Sequence, residues 1–79
     1  MDIHNLVHMA NRIGEFFDAL PDAEEAKEGI AEHLRRYWEP RMRRALLGHL
    51  AQGGGGLLPL VREALEAHRE TLQPAPAPT

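Results

Sequence analysis

The chain has 79 residues, a net charge of −3 and no cysteine. A length of this order holds one small core, and the missing thiols exclude both a disulfide framework and thiolate zinc sites, so a partner chain is the support left to so thin a domain. No window approaches the roughly 20 apolar residues of a membrane span. The opening MDIHNLVH, with an acid at position 2, has neither signal-peptide nor transit-peptide form, and the cytoplasm is the expected compartment.

The charge is unevenly spread. Residues 35–44 carry five arginines (35, 36, 41, 43 and 44) against Glu39, a local excess of four positive charges that leaves the rest of the chain seven negative. Such asymmetry reads as a local docking surface on an otherwise acidic protein. A nucleic-acid binder is more often basic throughout.

In chain order, Ile3, Leu6, Val7, Ala10, Ile13, Phe17 and Leu20 recur at the spacing of one helical face, which predicts an amphipathic helix from Asp2 to Leu20. Met9 and Phe16 fall beside this stripe and widen it, leaving a second apolar edge for a neighbour. Gly14 costs the helix ~1 kcal/mol relative to alanine, a sign that another helix crosses close by.

Pro21 disfavours helical geometry at Leu20, and Asp22 with Glu25 has the form of a capping box. A second helix is expected over Ala23–Tyr37, burying Ala26 or Ala23, Ile30, Leu34 and Tyr37 or Trp38. Glu24, Glu25, Glu28 and Glu32 face water, and the early acids and late Arg35 and Arg36 complement the helix dipole. Trp38-Glu39-Pro40 forms a corner, with Pro40 placed to open a third helix. That helix covers Pro40–Ala51, with Met42, Ala45, Leu46 and Leu50 on one face and Arg41, Arg44 and Leu47 off it.

Four successive glycines, Gly53–Gly56, interrupt the helical pattern and are expected to act as a flexible joint. A fourth helix, Pro59–Leu72, shows the stripe Leu58, Val61, Ala64 or Leu65, His68 and Leu72. The closing PAPAPT is expected to be extended or disordered. The expected organisation is an all-α bundle of three to four short helices. A helical domain spans 1–52, a glycine linker 53–56, a C-terminal helix 57–72 and a tail 73–79.

Candidate chemistry is sparse. His4 and His8 stand four apart as in an H-E-x-x-H site, but Asn5 replaces the glutamate and no third ligand is indicated. The chain has no serine, and its only threonines are Thr71 and Thr79, so no hydroxyl or thiol nucleophile is positioned for a triad. The glycine run lacks the Lys-Ser/Thr of a phosphate loop. The sequence therefore argues against an enzyme and gives this chain no catalytic, cofactor or metal residue of its own. The block around Trp38 admits three readings: a helix end whose arginines pair with the acids of the second helix, a protein-docking surface, or a nucleic-acid surface. Docking is favoured, because arginine and tryptophan are over-represented at interface hot spots and arginine pairs bidentately with carboxylates. Arg35, Arg36, Trp38, Arg41, Arg43 and Arg44, together with Met9 and Phe16, are the candidate partner-binding residues.

The stretches LVHMANRIGEFF and GIAEHLRRYWEPRMRRAL, within residues 6–50, resemble the delta subunit of the soluble NAD-dependent molybdenum- or tungsten-containing formate dehydrogenases. That resemblance implies a chain without a cofactor that attaches to a catalytic alpha subunit and supports assembly, stability or metal-centre maturation. It further implies that the alpha subunit holds bis-molybdopterin guanine dinucleotide and iron-sulfur clusters, and that beta and gamma subunits carry FMN and further clusters to reach NAD. The alternative is a free-standing helical interaction protein or nucleic-acid-binding regulator. The isolated chain is expected to bind no stoichiometric metal, flavin or nucleotide, since no ligand set converges at suitable spacing. Elemental analysis after dialysis and an absorbance spectrum test this, and one retained equivalent of zinc or a visible chromophore would refute it.

Overall fold

The computed structural model describes residues 2–74, and every regular element among them is a helix. These are α1 (Ile3–Phe17), α2 (Ala23–Tyr37), α3 (Pro40–Ala51), α4 (Pro59–Ala67) and the short α5 (Arg69–Leu72). The all-α class expected from the periodicity holds, and α2 and α3 keep their expected bounds.

Local chemistry sets the helix starts. Asp2 and Asp22 each accept a hydrogen bond from a first-turn amide, His4 N and Glu24 N, both at 2.9 Å, so each carboxylate satisfies a donor that the helix itself cannot. Pro40 and Pro59 open α3 and α4, where a missing N–H costs nothing. α1 and α2 form an antiparallel hairpin, with Phe17 near the end of α1 meeting Gly29 and His33 of α2. At the other end, Leu6 and Met9 share a groove with Glu39 and Met42 just beyond α2.

The core gathers Leu6 and Ala10 of α1, Ile30, Leu34 and Trp38 from α2 and its end, Leu46 and Leu47 of α3, and Val61, Ala64, Leu65 and Leu72 from the C-terminal helices. Gly14 is where α4 comes closest to α1: a Cβ added there would run into Cγ2 of Val61. The crossing helix inferred from Gly14 is therefore α4. Lys27 joins α2 to α4, 3.0 Å from Glu24 and 3.6 Å from Glu63. Its ammonium is held above the ordinary lysine range, chiefly by the hydrogen bond to Glu24.

Four details depart from the expected pattern, and one set of open alternatives is resolved. α1 stops at Phe17 and the turn before Pro21 leaves Leu20 exposed, because the residue before a proline is pushed out of helical geometry. Of the alternatives on α2, Ala26 is buried and Ala23 exposed, and Trp38 is buried while Tyr37 is 68% exposed. Leu47 is buried beside Leu46, because α3 packs against both α1 and α4 and so buries a face wider than one stripe. At the start of α4 Leu57 is buried in place of Leu58, which lies outside the helix as its N-cap. The expected fourth helix divides at His68 (φ −115°, ψ 24°), and α5 turns Leu72 fully into the core.

The glycine run breaks the helix as expected, but hydrogen bonds tie it to three helices. Gly53, Gly54 and Gly56 have φ of +114°, +63° and +86°, conformations open to glycine and costly to other residues. His49 Nε2 lies 2.7 Å from Gly55 O, and Arg62 donates to Gly54 O at 3.2 Å. Asn11 of α1 donates to Gly56 O and accepts from Leu58 N, both at 2.9 Å. Side chains from α1, α3 and α4 thus meet the backbone of the run and of the residue that caps α4. The expected tail lies, from residue 75 onward, outside the described residues.

Gly14→Ala should lower the melting temperature even though alanine is the better helix former. Val61 is β-branched and fully buried, so it has little freedom to yield, and overpacking of ~1–3 kcal/mol outweighs a helix gain of ~1 kcal/mol at most. Gly48 of α3 has open space around its Cα, and Gly48→Ala should raise the melting temperature by about 4–8 °C per kcal/mol gained. Thermal melts of the two variants decide it, and a stabilised Gly14→Ala would disprove the close crossing.

Candidate interaction surface

The helix bounds sort the arginine block into different environments. Arg35 and Arg36 lie in the last turn of α2, where both approach Glu32: Arg35 is hydrogen-bonded to it and Arg36 lies 4.0 Å away. The reading in which this end pairs with helix-2 acids therefore holds for these two. Pairs of this kind, exposed and one helical turn apart, contribute only ~0.3–0.5 kcal/mol. Arg36 also stands over the ring of Tyr37, 6.0 Å from its centroid, within cation–π range.

Arg41 and Arg44 are exposed on α3, and among the described residues neither forms a salt bridge. Arg43 points the other way. It is half-buried and its Nη1 donates to Leu72 O at 3.4 Å, while its Nε is buried without a partner. Its aliphatic stem covers apolar surface while the head reaches the end of α5. Trp38 is 6% exposed, so its ring is core and is closed to a partner while the bundle is folded.

Met9 and Arg41 come together in an open groove between α1 and the start of α3, lined also by Asp2, Asn5, Glu39 and Met42. Phe16 does not line it. It is 75% exposed and sets its ring edge-on to Phe17, with centroids 5.1 Å apart. From Phe17 the aromatic contacts continue to His33 (6.5 Å) and from His33 to Tyr37 (4.8 Å). A ladder of rings thus crosses the α1/α2 seam and ends under Arg36. Sequence reasoning passed over His33 and left Tyr37 undecided between core and surface. Their i, i+4 spacing on α2 was the available signal, but it pairs with Phe17 only once α1 lies alongside.

Among the described residues no three His, Cys, Asp or Glu side chains converge as a metal site, and no helix is long and apolar enough to cross a membrane. What these elements present is a surface of arginine, methionine and aromatic side chains, the composition of interface hot spots. A family model described as "NADH-dependent formate dehydrogenase delta subunit FdsD" matches residues 5–65. The match runs from the first turn of α1 through the glycine loop into α4, beyond the region whose resemblance the sequence motifs carry. Comparison with curated proteins and with solved structures gave no match.

Trp38→Ala should cost roughly 3–5 kcal/mol, the range for large aromatic truncations in a closed core. Arg43→Ala should cost about 1 kcal/mol or more, from the lost stem packing and the uncapped Leu72 carbonyl. Arg41→Ala and Arg44→Ala should each stay within ~0.5 kcal/mol. Urea melts of the four variants rank them, and equal losses for Arg43 and Arg44 would contradict the division of the block.

Proposed function

Because the chain belongs to the family of NADH-dependent formate dehydrogenase delta subunits, we propose that it is a non-catalytic subunit of that enzyme. In this reading it binds the catalytic alpha subunit, and through it the beta and gamma subunits, and supports assembly, stability or metal-cofactor maturation in the cytoplasm. The family match over residues 5–65 is the observation that carries the reading. The donor inventory supports it, with no serine or cysteine in the chain and no converging ligand set among the described residues. The molybdopterin, iron-sulfur and flavin chemistry would belong to the partner subunits, and this chain would contribute shape and charge.

Arg35, Arg36, Arg41 and Arg44 are the proposed contacts for partner carboxylates, with Met9 and Phe16 as apolar anchors beside them. Trp38 and Arg43 serve the same surface indirectly, by holding the α2/α3 corner and the end of α5. Residues 1–52 carry the surface, and 57–72 brace it across the glycine joint at 53–56.

Arg41→Glu combined with Arg44→Glu should leave the circular dichroism of the isolated chain unchanged, since both sites are exposed. The same pair should weaken attachment to the large subunit, because reversed charges repel a complementary surface rather than merely fail to attract it. Co-purification of the tagged variant with the formate dehydrogenase complex is the measurement. Recovery at wild-type yield would reduce both arginines to solvated surface.

A further inference from the structure

Little holds α5 in the bundle. Of its four residues, Arg69–Leu72, only Leu72 is buried, while each of the other helices commits two or more side chains to the core. Among the described residues no salt bridge reaches it, and beside it His68 and Thr71 line an open groove against Ala31 and Glu32 of α2. The side-chain tie from another helix is Arg43 Nη1, which donates to Leu72 O at 3.4 Å, longer than an ordinary N–H···O bond.

Arg43 is poorly served by the same arrangement. Its Nε is the one buried side-chain nitrogen or oxygen without a hydrogen-bond partner among the described residues, and none of the salt bridges there includes it. A buried donor without an acceptor costs about as much as burying one leucine gains, and ordering the segment adds an entropic cost. Closed and open positions of α5 are therefore close in free energy, whereas opening any other helix sacrifices several core side chains. Segments with so few buried contacts are the ones that open first.

We propose that α5 is a lid over Arg43, opening ahead of the rest of the bundle, and that a partner carboxylate taking the freed guanidinium holds it open. A carboxylate on Arg43 makes a charge-assisted contact, stronger than the one to the neutral Leu72 carbonyl, and a ligand that binds the open form better draws the population toward it. The inference rests on the preceding reading that arginines of α3 meet carboxylates of the formate dehydrogenase catalytic subunit. It adds that Arg43 joins Arg41 and Arg44 there, and that the closed lid restrains attachment.

The test has one arm on the isolated full-length chain and one on the complex. In wild type, the Leu72 and Gln73 amides, which donate to His68 O and Arg69 O, should exchange hydrogen at least about tenfold faster than those of Ile30 and Leu34, by opening below the global limit. Equal protection would mean that α5 leaves only when the whole chain unfolds, and the lid is then overturned. Leu72→Ala should raise modification of Arg43 by phenylglyoxal about fivefold or more, in proportion to the open population, and leave Arg41 and Arg44 unchanged. Glu70→Gly with Thr71→Gly, both at exposed sites, loosens α5 without removing a core side chain and should act in the same direction. An unchanged Arg43 rate in this double variant, once its Leu72 amide is seen to exchange faster, would show that α5 does not cover Arg43. For the complex, the full-length variants are titrated onto immobilised enzyme that lacks this chain. The double glycine variant should bind about threefold or more tightly than wild type, and adding Arg43→Ala should abolish the gain. If wild type does not bind, the functional reading fails and the docking role of the lid with it, while exchange and modification still judge the lid itself. If wild type binds and the loosened variant binds no more tightly, the coupling of α5 to docking is overturned and the functional reading stands.

Discussion

Val61 occupies the space that a side chain at position 14 would need, and this contact sets how near α4 comes to α1. With α4 drawn in, Ala64 and Leu65 reach the layer of Ile30 and Leu34, and Glu63 comes within range of Lys27. A chain this short has little apolar surface to bury, so losing the α1–α4 approach would open the core along its length. Gly29 plays the same part for the hairpin, since a Cβ there would meet the ring of Phe17. Two missing side chains thus let three helices share one thin core.

That economy bears on how the surface is composed. Nearly every large aliphatic side chain is enlisted by the core, yet two aromatic rings and several arginines stay outside it. Within the five-arginine block the division of labour is set by helical phase. Arg43 turns inward to the end of α5, whereas Arg41 and Arg44, two positions before it and one after, face water. The fold thereby draws on one member of the cluster and leaves its neighbours on the surface. A chain whose family is that of an enzyme subunit gains from this separation, because its exposed face can be fitted to a partner without disturbing the core.

The sequence made the helices legible wherever local chemistry fixes them. Asp22, Pro40 and Pro59 mark starts that the structure keeps, and period 3.6 locates α2 and α3. Gly14 even announced its neighbour, because a glycine in mid-helix has few reasons other than close approach. What escaped was tertiary. No glycine or proline marks the bend at His68, whose benefit is the burial of Leu72. Leu47 is buried only because α3 meets two helices at once. The candidate surface was legible in part: exposure of Arg41 and Arg44 followed from phase, whereas phase left the choice between Tyr37 and Trp38 open and packing made it. The ring ladder was not legible, since it joins residues of two helices whose rotation about their axes no single-helix pattern specifies.

Asn11 reaches across from α1 with one amide, its nitrogen giving a proton to Gly56 O and its oxygen taking one from Leu58 N. The two ends of that amide are not interchangeable here. Exchange of its NH2 for an oxygen, as in the isosteric aspartate, keeps the shape of the side chain and the bond from Leu58, but turns a carboxylate oxygen toward the carbonyl of Gly56. Attraction becomes repulsion at one atom, and the loop that no glycine can hold for itself loses its latch. Asn11→Asp would therefore loosen the attachment of α4 through a single atom, while the packed volume of the side chain stays almost unchanged.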